Sequence, residues 1–263
     1  HFRFHLSRTL SRVGFDGEVL SWNFKKELSD KCNKKNIFVV NDKDILDKVW
    51  KNRPAMTDAQ IFELPIEYAG KSRLEKLGEV RKEMEKSGAT HHFVSSLDDI
   101  AWLYNFRGQD TDTCPVALSY TLISMENAQL FIAGKKVPDE LKLAFEKDNI
   151  QIINYGDVDN VITNLAADAK VLFDHNCVNS KLAGLIPETC EKLDEISITT
   201  TLKAIKNSVE IDHFRACHIK DGAAVVRFLK WLDENVASGQ VSELSASAQL
   251  ESYRQEIDTF KGL

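Results

Sequence analysis

Leu97-Asp98-Asp99-Ile100-Ala101-Trp102-Leu103-Tyr104-Asn105-Phe106-Arg107-Gly108-Gln109-Asp110 is the stretch in which a buried run meets a charged turn. The apolar segment from Ile100 to Phe106 carries Trp102, Tyr104 and Phe106 and stops at Arg107-Gly108. Glycine there frees the backbone to turn, so the guanidinium is delivered at the end of a buried element, as a rigid scaffold presents an arginine. A plainer reading makes the three aromatics core, lets Arg107 snorkel or cap, and leaves Asp98, Asp99 and Asp110 solvated.

Outward from this run the texture alternates. Before it, Ser72 to Lys86 has apolar residues at three- and four-residue spacing and Gly88 as a stop, which predicts a helix. Thr90 to Ser96 then reads as a strand. His91 and His92 point to opposite faces of it and cannot share a metal. After it, Val116–Ser124 and Ala128–Ala133 read as a hairpin, 138–149 as a helix entered through proline, and Ile150–Tyr155 as a strand. A helix through Val158 and Leu165, a strand at Lys170–Phe173, a short helix at Val178–Leu185 and a late strand at Ile196–Leu202 complete the series. The expectation is a mixed sheet covered by helices.

Residues 11–53 read as strand, helix, strand and helix: a strand to Phe15, a helix from the Ser21 cap through Leu28, a strand at Ile37–Val40, and a helix at Asp44–Trp50 with Ile45, Leu46, Val49 and Trp50 on one side. Pro54 stops that helix, and the segment to Pro65 reads as a connection. Beyond Lys203, Asn207 with Glu210 makes a capping-box pattern for a long helix reaching almost to Gly239, and Ser242 opens another to about Ile257.

The 263 residues carry 34 basic and 40 acidic side chains, a net charge of −6, without a long basic run, so neither nucleic acid nor a membrane surface is an expected partner. No apolar run reaches the roughly 18 residues of a membrane span, and no signal-peptide pattern opens the chain. Five widely spaced cysteines, an odd number without Cys-x-x-Cys, fit free thiols in a reducing compartment, and a cytoplasmic location is expected.

The segment Asp98 to Asp110 resembles the second domain of three-domain Xaa-Pro aminopeptidases, metal enzymes that remove an N-terminal residue preceding proline. Val49-Trp50 followed by Arg53-Pro54 resembles the join of their first and second domains. Leu202 to Glu210, with His218 to Ala223, resembles the first helix of their pita-bread catalytic domain. The resemblance implies an α/β chain, a creatinase N-terminal-like mixed sheet flanked by helices and followed by the opening helices of an incomplete pita-bread domain. Its divisions would be the end of a first creatinase-like domain at 1–53, a linker at 54–65, a second creatinase-like domain at 66–202 and helices of the peptidase domain at 203–263.

In that family two Asp, one His and two Glu hold two divalent ions, usually manganese, that activate water. The resemblance places these ligands beyond Leu263, so no metal ligand and no catalytic residue is expected within the chain, nor activity from it alone. No other pattern replaces them: His213 and His218 diverge on a helix, and there is no His-Glu-x-x-His, Gly-x-Ser-x-Gly or phosphate loop. The resemblance further implies that Asn105, Arg107 and Asp110 shape the pocket for peptides with proline in second position, with Arg107 giving a charge-assisted hydrogen bond. The simpler role for Arg107 is to tie the turn to Asp110 or a backbone carbonyl. A homodimer is implied as well. The alternative is a non-enzymatic peptide- or protein-binding module of the same fold, docking through Phe214, Val225, Leu229 and Trp231.

Overall fold

Neighbouring residues in His92-Phe93-Val94, Leu122-Ile123 and Val171-Leu172-Phe173 go to opposite faces of a sheet, and both faces are apolar. Phe93, Leu122, Val171 and Phe173 join one core cluster, while Val94, Ile123 and Leu172 join another. A sheet apolar on both sides needs helices on both. The computed structural model of this chain describes residues 11–44, 46–112, 114–260 and 262.

The described chain starts with β1 (Ser11–Gly14), α1 (Trp22–Asn33) and β2 (Ile37–Val40), the two strands pairing in parallel as a separate sheet. Next come β3 (Phe62–Glu63), α2 (Ile66–Ala69), α3 (Arg73–Ser87), β4 (His91–Val94), α4 (Leu97–Leu103) and β5 (Phe106–Arg107). The hairpin of β6 (Tyr120–Ser124) and β7 (Ala128–Phe131) precedes α5 (Asp139–Lys147), β8 (Ile150–Ile153), α6 (Val158–Thr163), β9 (Lys170–Phe173), α7 (Ser180–Leu185) and β10 (Glu191–Asp194). Three helices finish it: α8 (Ile198–Ala204), α9 (Ser208–Asn235) and α10 (Glu243–Gln255).

Six strands form one mixed sheet in the order β10, β9, β4, β6, β7, β8. The β4–β6 and β6–β7 pairs are antiparallel and the other three parallel. Helices α3, α4, α5 and α8 supply Leu77, Val80, Met84, Ile100, Phe145 and Ile198 to one face, and α6 and α7 supply Val158, Ile162 and Leu182 to the other. The expected mixed sheet flanked by helices is therefore present.

The first unit docks on the segment joining β9 to α7, in large part through main-chain bonds. Trp22 N donates to Val178 O at 2.9 Å, Asn23 N to His175 O at 2.9 Å, Ser180 N to Leu20 O at 2.8 Å and Lys181 N to Gly17 O at 3.0 Å.

Two expected elements differ. The helix expected at Asp44–Trp50 is a turn over the described residues, closed by Val49 N and Trp50 N on Leu46 O; Ile45 lies outside the described residues. The Asp44 carboxylate takes Leu46 N and Asp47 N, while Leu46, Val49 and Trp50 are 57%, 73% and 49% exposed. An apolar stripe with nothing to bury against does not sustain so short a helix. The strand expected at Ile196–Leu202 is helix α8, and the last strand is β10, earlier in the chain. Ile198 and Leu202, one turn apart, meet the core, and the hydroxyls of Thr199 and Thr200 both donate to Asp99 Oδ2. Tertiary contacts override the β-propensity of this threonine-rich run.

Candidate functional site

The site is assembled where three chain segments meet. Ser72 caps α3 through a capping box with Glu75, and Lys76 follows on the buried face of that helix, 1% exposed. Helix α4 ends at Trp102 and Leu103. Asn105 then takes a left-handed conformation, φ 53°, which asparagine tolerates, and releases the chain into β5. There Arg107 lies opposite Phe62 of β3.

The turn is thus made by Asn105 rather than Gly108. Glycine at 108 serves close approach, since a Cβ there would lie 2.7 Å from Val116 O.

The third segment is the start of α9. The Asn207 side chain accepts from Glu210 N at 3.0 Å and donates to Ala69 O at 2.9 Å, joining α9 to the end of α2. Gly70 at that junction has φ 69°, and a Cβ on it would stand 2.3 Å from Asn207 Oδ1. Gly70→Ala is expected to lower stability by about 1–2 kcal/mol from its backbone alone, more once the cap is displaced. Urea denaturation checks this: a loss no larger than the backbone cost would mean that Asn207 moves freely, and an unchanged midpoint would contradict the prediction.

Between these segments lies a cleft of about 300 Å³ whose lining includes Tyr68, Lys76, Trp102, Arg107, Glu210 and His213. The Arg107 guanidinium donates through Nη1 to Phe106 O at 2.8 Å and Ala101 O at 3.2 Å, and among the described residues it forms no ion pair. Burial pushes its pKa down, while Cys114 and Glu210 act in the opposite sense. Glu210 accepts from Trp102 Nε1 at 3.3 Å and from Asn207 N at 2.9 Å. The cleft therefore offers an arginine with unused donors beside aromatic rings and one carboxylate, an arrangement suited to a carbonyl-bearing chain with an apolar side group.

Of the three residues singled out in the sequence, Arg107 lines the cleft and Asn105 stands behind it. Asn105 Oδ1 accepts from Lys76 Nζ at 2.6 Å, and its Nδ2 donates to Lys71 O at 2.8 Å. Asp110 is placed apart. Its carboxylate, 0% exposed, pairs with Lys136, 1% exposed, and accepts from Leu118 N at 2.7 Å, while its Oδ1 has no partner. Asp99 is buried too, paired with Lys203 at 2.6 Å, so the expectation of solvated aspartates holds for neither it nor Asp110. Sequence reasoning passed over Lys76 and treated Glu210 only as a cap. The available signal was spacing, because Lys76 lies one turn from Val80 on the apolar face of α3.

Among the described residues no group of three or more His, Cys, Asp or Glu side chains could hold a metal ion. His213 bonds Glu67 O at 3.0 Å and His218 bonds Phe214 O at 2.9 Å, so each ring is engaged by a backbone carbonyl. His92 is fully buried between Leu172 O and Ser197 Oγ, whereas His91 is half-buried. The described residues do not fit a two-metal centre.

Residues 52–210 match the family model for the creatinase/prolidase N-terminal domain, and the chain belongs to that family. It is similar to proteins named "Probable Xaa-Pro aminopeptidase P". It is 34% identical to the one from Coprinopsis cinerea over 96% of this chain and 43% of that protein, and 35% identical to the one from Sordaria macrospora over 84% and 38%. The chain thus spans about two-fifths of the length of these relatives. Among solved structures it resembles the X-prolyl aminopeptidase of Caenorhabditis elegans, described as a cytosolic enzyme with a di-nuclear active site, with a TM-score of 0.88 and 26% identity over 98% of this chain and 43% of that one. The Xaa-Pro dipeptidase of Bacillus anthracis, 18% identical with a TM-score of 0.53, shares the fold.

Proposed function

We propose that this chain is the peptide-receiving portion of a metal-dependent Xaa-Pro aminopeptidase, which releases the N-terminal residue before proline. The observation that carries the reading is Arg107, held by two backbone carbonyls at the end of a buried element and, among the described residues, left without a carboxylate partner in an aromatic-sided cleft. Arg107 gives its free donors to a peptide carbonyl, Trp102 and Tyr68 flank the peptide, and Asn105 fixes the turn. Asp110 contributes by anchoring the loop that follows Arg107.

Under this reading residues 1–53 end a first creatinase-like domain, 54–65 link it onward, 66–202 form the second, and 203–263 open the peptidase domain. Two divalent ions, manganese in our reading, are held by residues outside this chain and activate the water. The same reading carries a homodimer and a cytoplasmic location. No helix among the described residues is long and apolar enough to cross a membrane.

The purified chain is expected to bind the tripeptide Ala-Pro-Ala weakly and, with manganese added, to release no alanine. Arg107→Ala is expected to weaken binding about tenfold or more, the value of a lost hydrogen bond to a charged group. Calorimetric titration and a free-alanine assay decide the matter. Manganese-dependent turnover by this chain, or unchanged affinity in the variant, would overturn the reading.

A non-enzymatic binding module is the second reading, supported by Phe214, Val226 and Leu229 of α9, which are 51%, 66% and 53% exposed. Val225 and Trp231 are half-buried and offer less to a partner. Strictly monomeric sedimentation at high concentration would count against it.

A further inference from the structure

Lys76 is the group in the cleft that the fold treats least like a surface lysine. Its Nζ donates to Trp102 O at 2.8 Å and to Asn105 Oδ1 at 2.6 Å, and it stands 4.5 Å from the centroid of the Trp102 ring. One ammonium thereby ties α3 to the end of α4 and to the left-handed turn two residues before Arg107. The turn is fastened further by Asn105 Nδ2 on Lys71 O and by Leu64 N on Asn105 O, both at 2.8 Å. Among the described residues no carboxylate forms an ion pair with Lys76, so the tie rests on neutral acceptors and a ring face.

We infer that Lys76 is a positioning residue of the cleft: its ammonium sets the wall carrying Trp102, Asn105 and Arg107, and peptide engagement at Arg107 requires that ammonium. The inference rests on the reading of the cleft as a peptide site. The charged groups facing Lys76 are Glu210 of α9 and Glu79 of its own helix, which favour the ammonium, and Arg107 of β5 and Lys71 of the preceding turn, which oppose it. His213 and Cys217 are further titratable groups lining the cleft. Burial outweighs them and pushes Lys76 down to about 8, so it gives up its proton while most lysines keep theirs.

Two consequences of opposite sign follow. Between a folded value of about 8 and an ordinary value of 10.5, the unfolded chain holds a proton that the folded chain has released, so stability attributable to Lys76 rises with pH. Over the same range the cleft loses its cation, and peptide affinity falls. A purely structural residue would move both quantities together.

The experiment compares the wild-type chain with Lys76→Met, which keeps the stem and drops the charge, from pH 7 to 10. The Trp102 indole N–H resonance, assigned by its loss in Trp102→Phe, is expected to shift with a midpoint near Lys76's value in the wild type and to stay fixed in Lys76→Met. Ala-Pro-Ala is expected to bind the wild type about tenfold more tightly than Lys76→Met at pH 7, the scale of a charge-assisted contact. That difference closes as pH rises, the peptide's own amine titrating alike in both proteins. Urea midpoints, taken as wild type minus variant, are expected to rise over the same range.

A Trp102 signal that does not move, or moves equally in Lys76→Met, overturns the inference. A signal that titrates in the wild type alone, with no peptide bound at any pH, overturns the reading of the cleft and leaves only the tie between Lys76 and Trp102.

Discussion

Asp110→Ala is expected to cost about 3–5 kcal/mol of folding free energy, because it leaves the Lys136 ammonium buried with no counter-charge. Among the described residues Lys136 forms one ion pair, with the Asp110 carboxylate, and both side chains are at most 1% exposed. The pair closes the loop after Arg107. Gly108 N donates to Pro115 O at 3.1 Å, Asp110 N to Val116 O at 3.0 Å, and Leu118 N to the Asp110 carboxylate, while Lys136 O takes Ile61 N at 2.9 Å. Urea denaturation measures the loss. Adding Lys136→Met to the alanine variant is expected to restore much of it, since removing both charges also removes the burial penalty. A small loss in the single variant, with no rescue in the double, would show that water reaches Lys136.

Acid should act through His92. Burial pushes its pKa to about 4 from an ordinary 6.5, with Leu172 O and the Asp99 carboxylate acting against that fall. Between these values the unfolded chain takes up a proton that the folded chain refuses. Stability attributable to His92 is therefore intact above the higher value, falls as pH drops through the window, and levels off below the lower one. A shift of this size amounts to about 3 kcal/mol. Nδ1 bonds Leu172 O at 3.1 Å and Nε2 meets Ser197 Oγ at 3.2 Å, so the neutral ring donates to the carbonyl and accepts from the hydroxyl. His92→Gln is expected to flatten the acid slope of stability between pH 7 and 4.5. An equal slope in variant and wild type would assign acid sensitivity to the carboxylates instead.

Much of the fold was legible because its signals were local. The Ser72 and Asn207 caps, the αL stop at Gly88 and the hairpin around Met125 each need only a few neighbouring residues, and each is present. The Ile196–Leu202 run was misread because its threonines satisfy Asp99, about a hundred residues away, and no local pattern announces such a partner. At the site, Arg107 was visible as a charge ending an apolar run. Asp110 gave no sign of burial, because its partner Lys136 lies in a distant 3-10 turn. Glu210 reached the cleft only through the docking of α9 on α2, which helix signals alone do not reveal.

The seam between α1 and α7 has a different kind of robustness. Trp22, Asn23, Ser180 and Lys181 join the two units through peptide groups that every residue except proline carries, so those four bonds survive most side-chain replacements, whereas the contacts of Asn23 with Asn176, Asn41 with Ser180 and Lys181 with Glu18 depend on the side chains. Drift at those four positions leaves the main-chain part of the seam in place. Four such bonds within a short span fasten the two units at neighbouring points, which opposes a hinge at the seam.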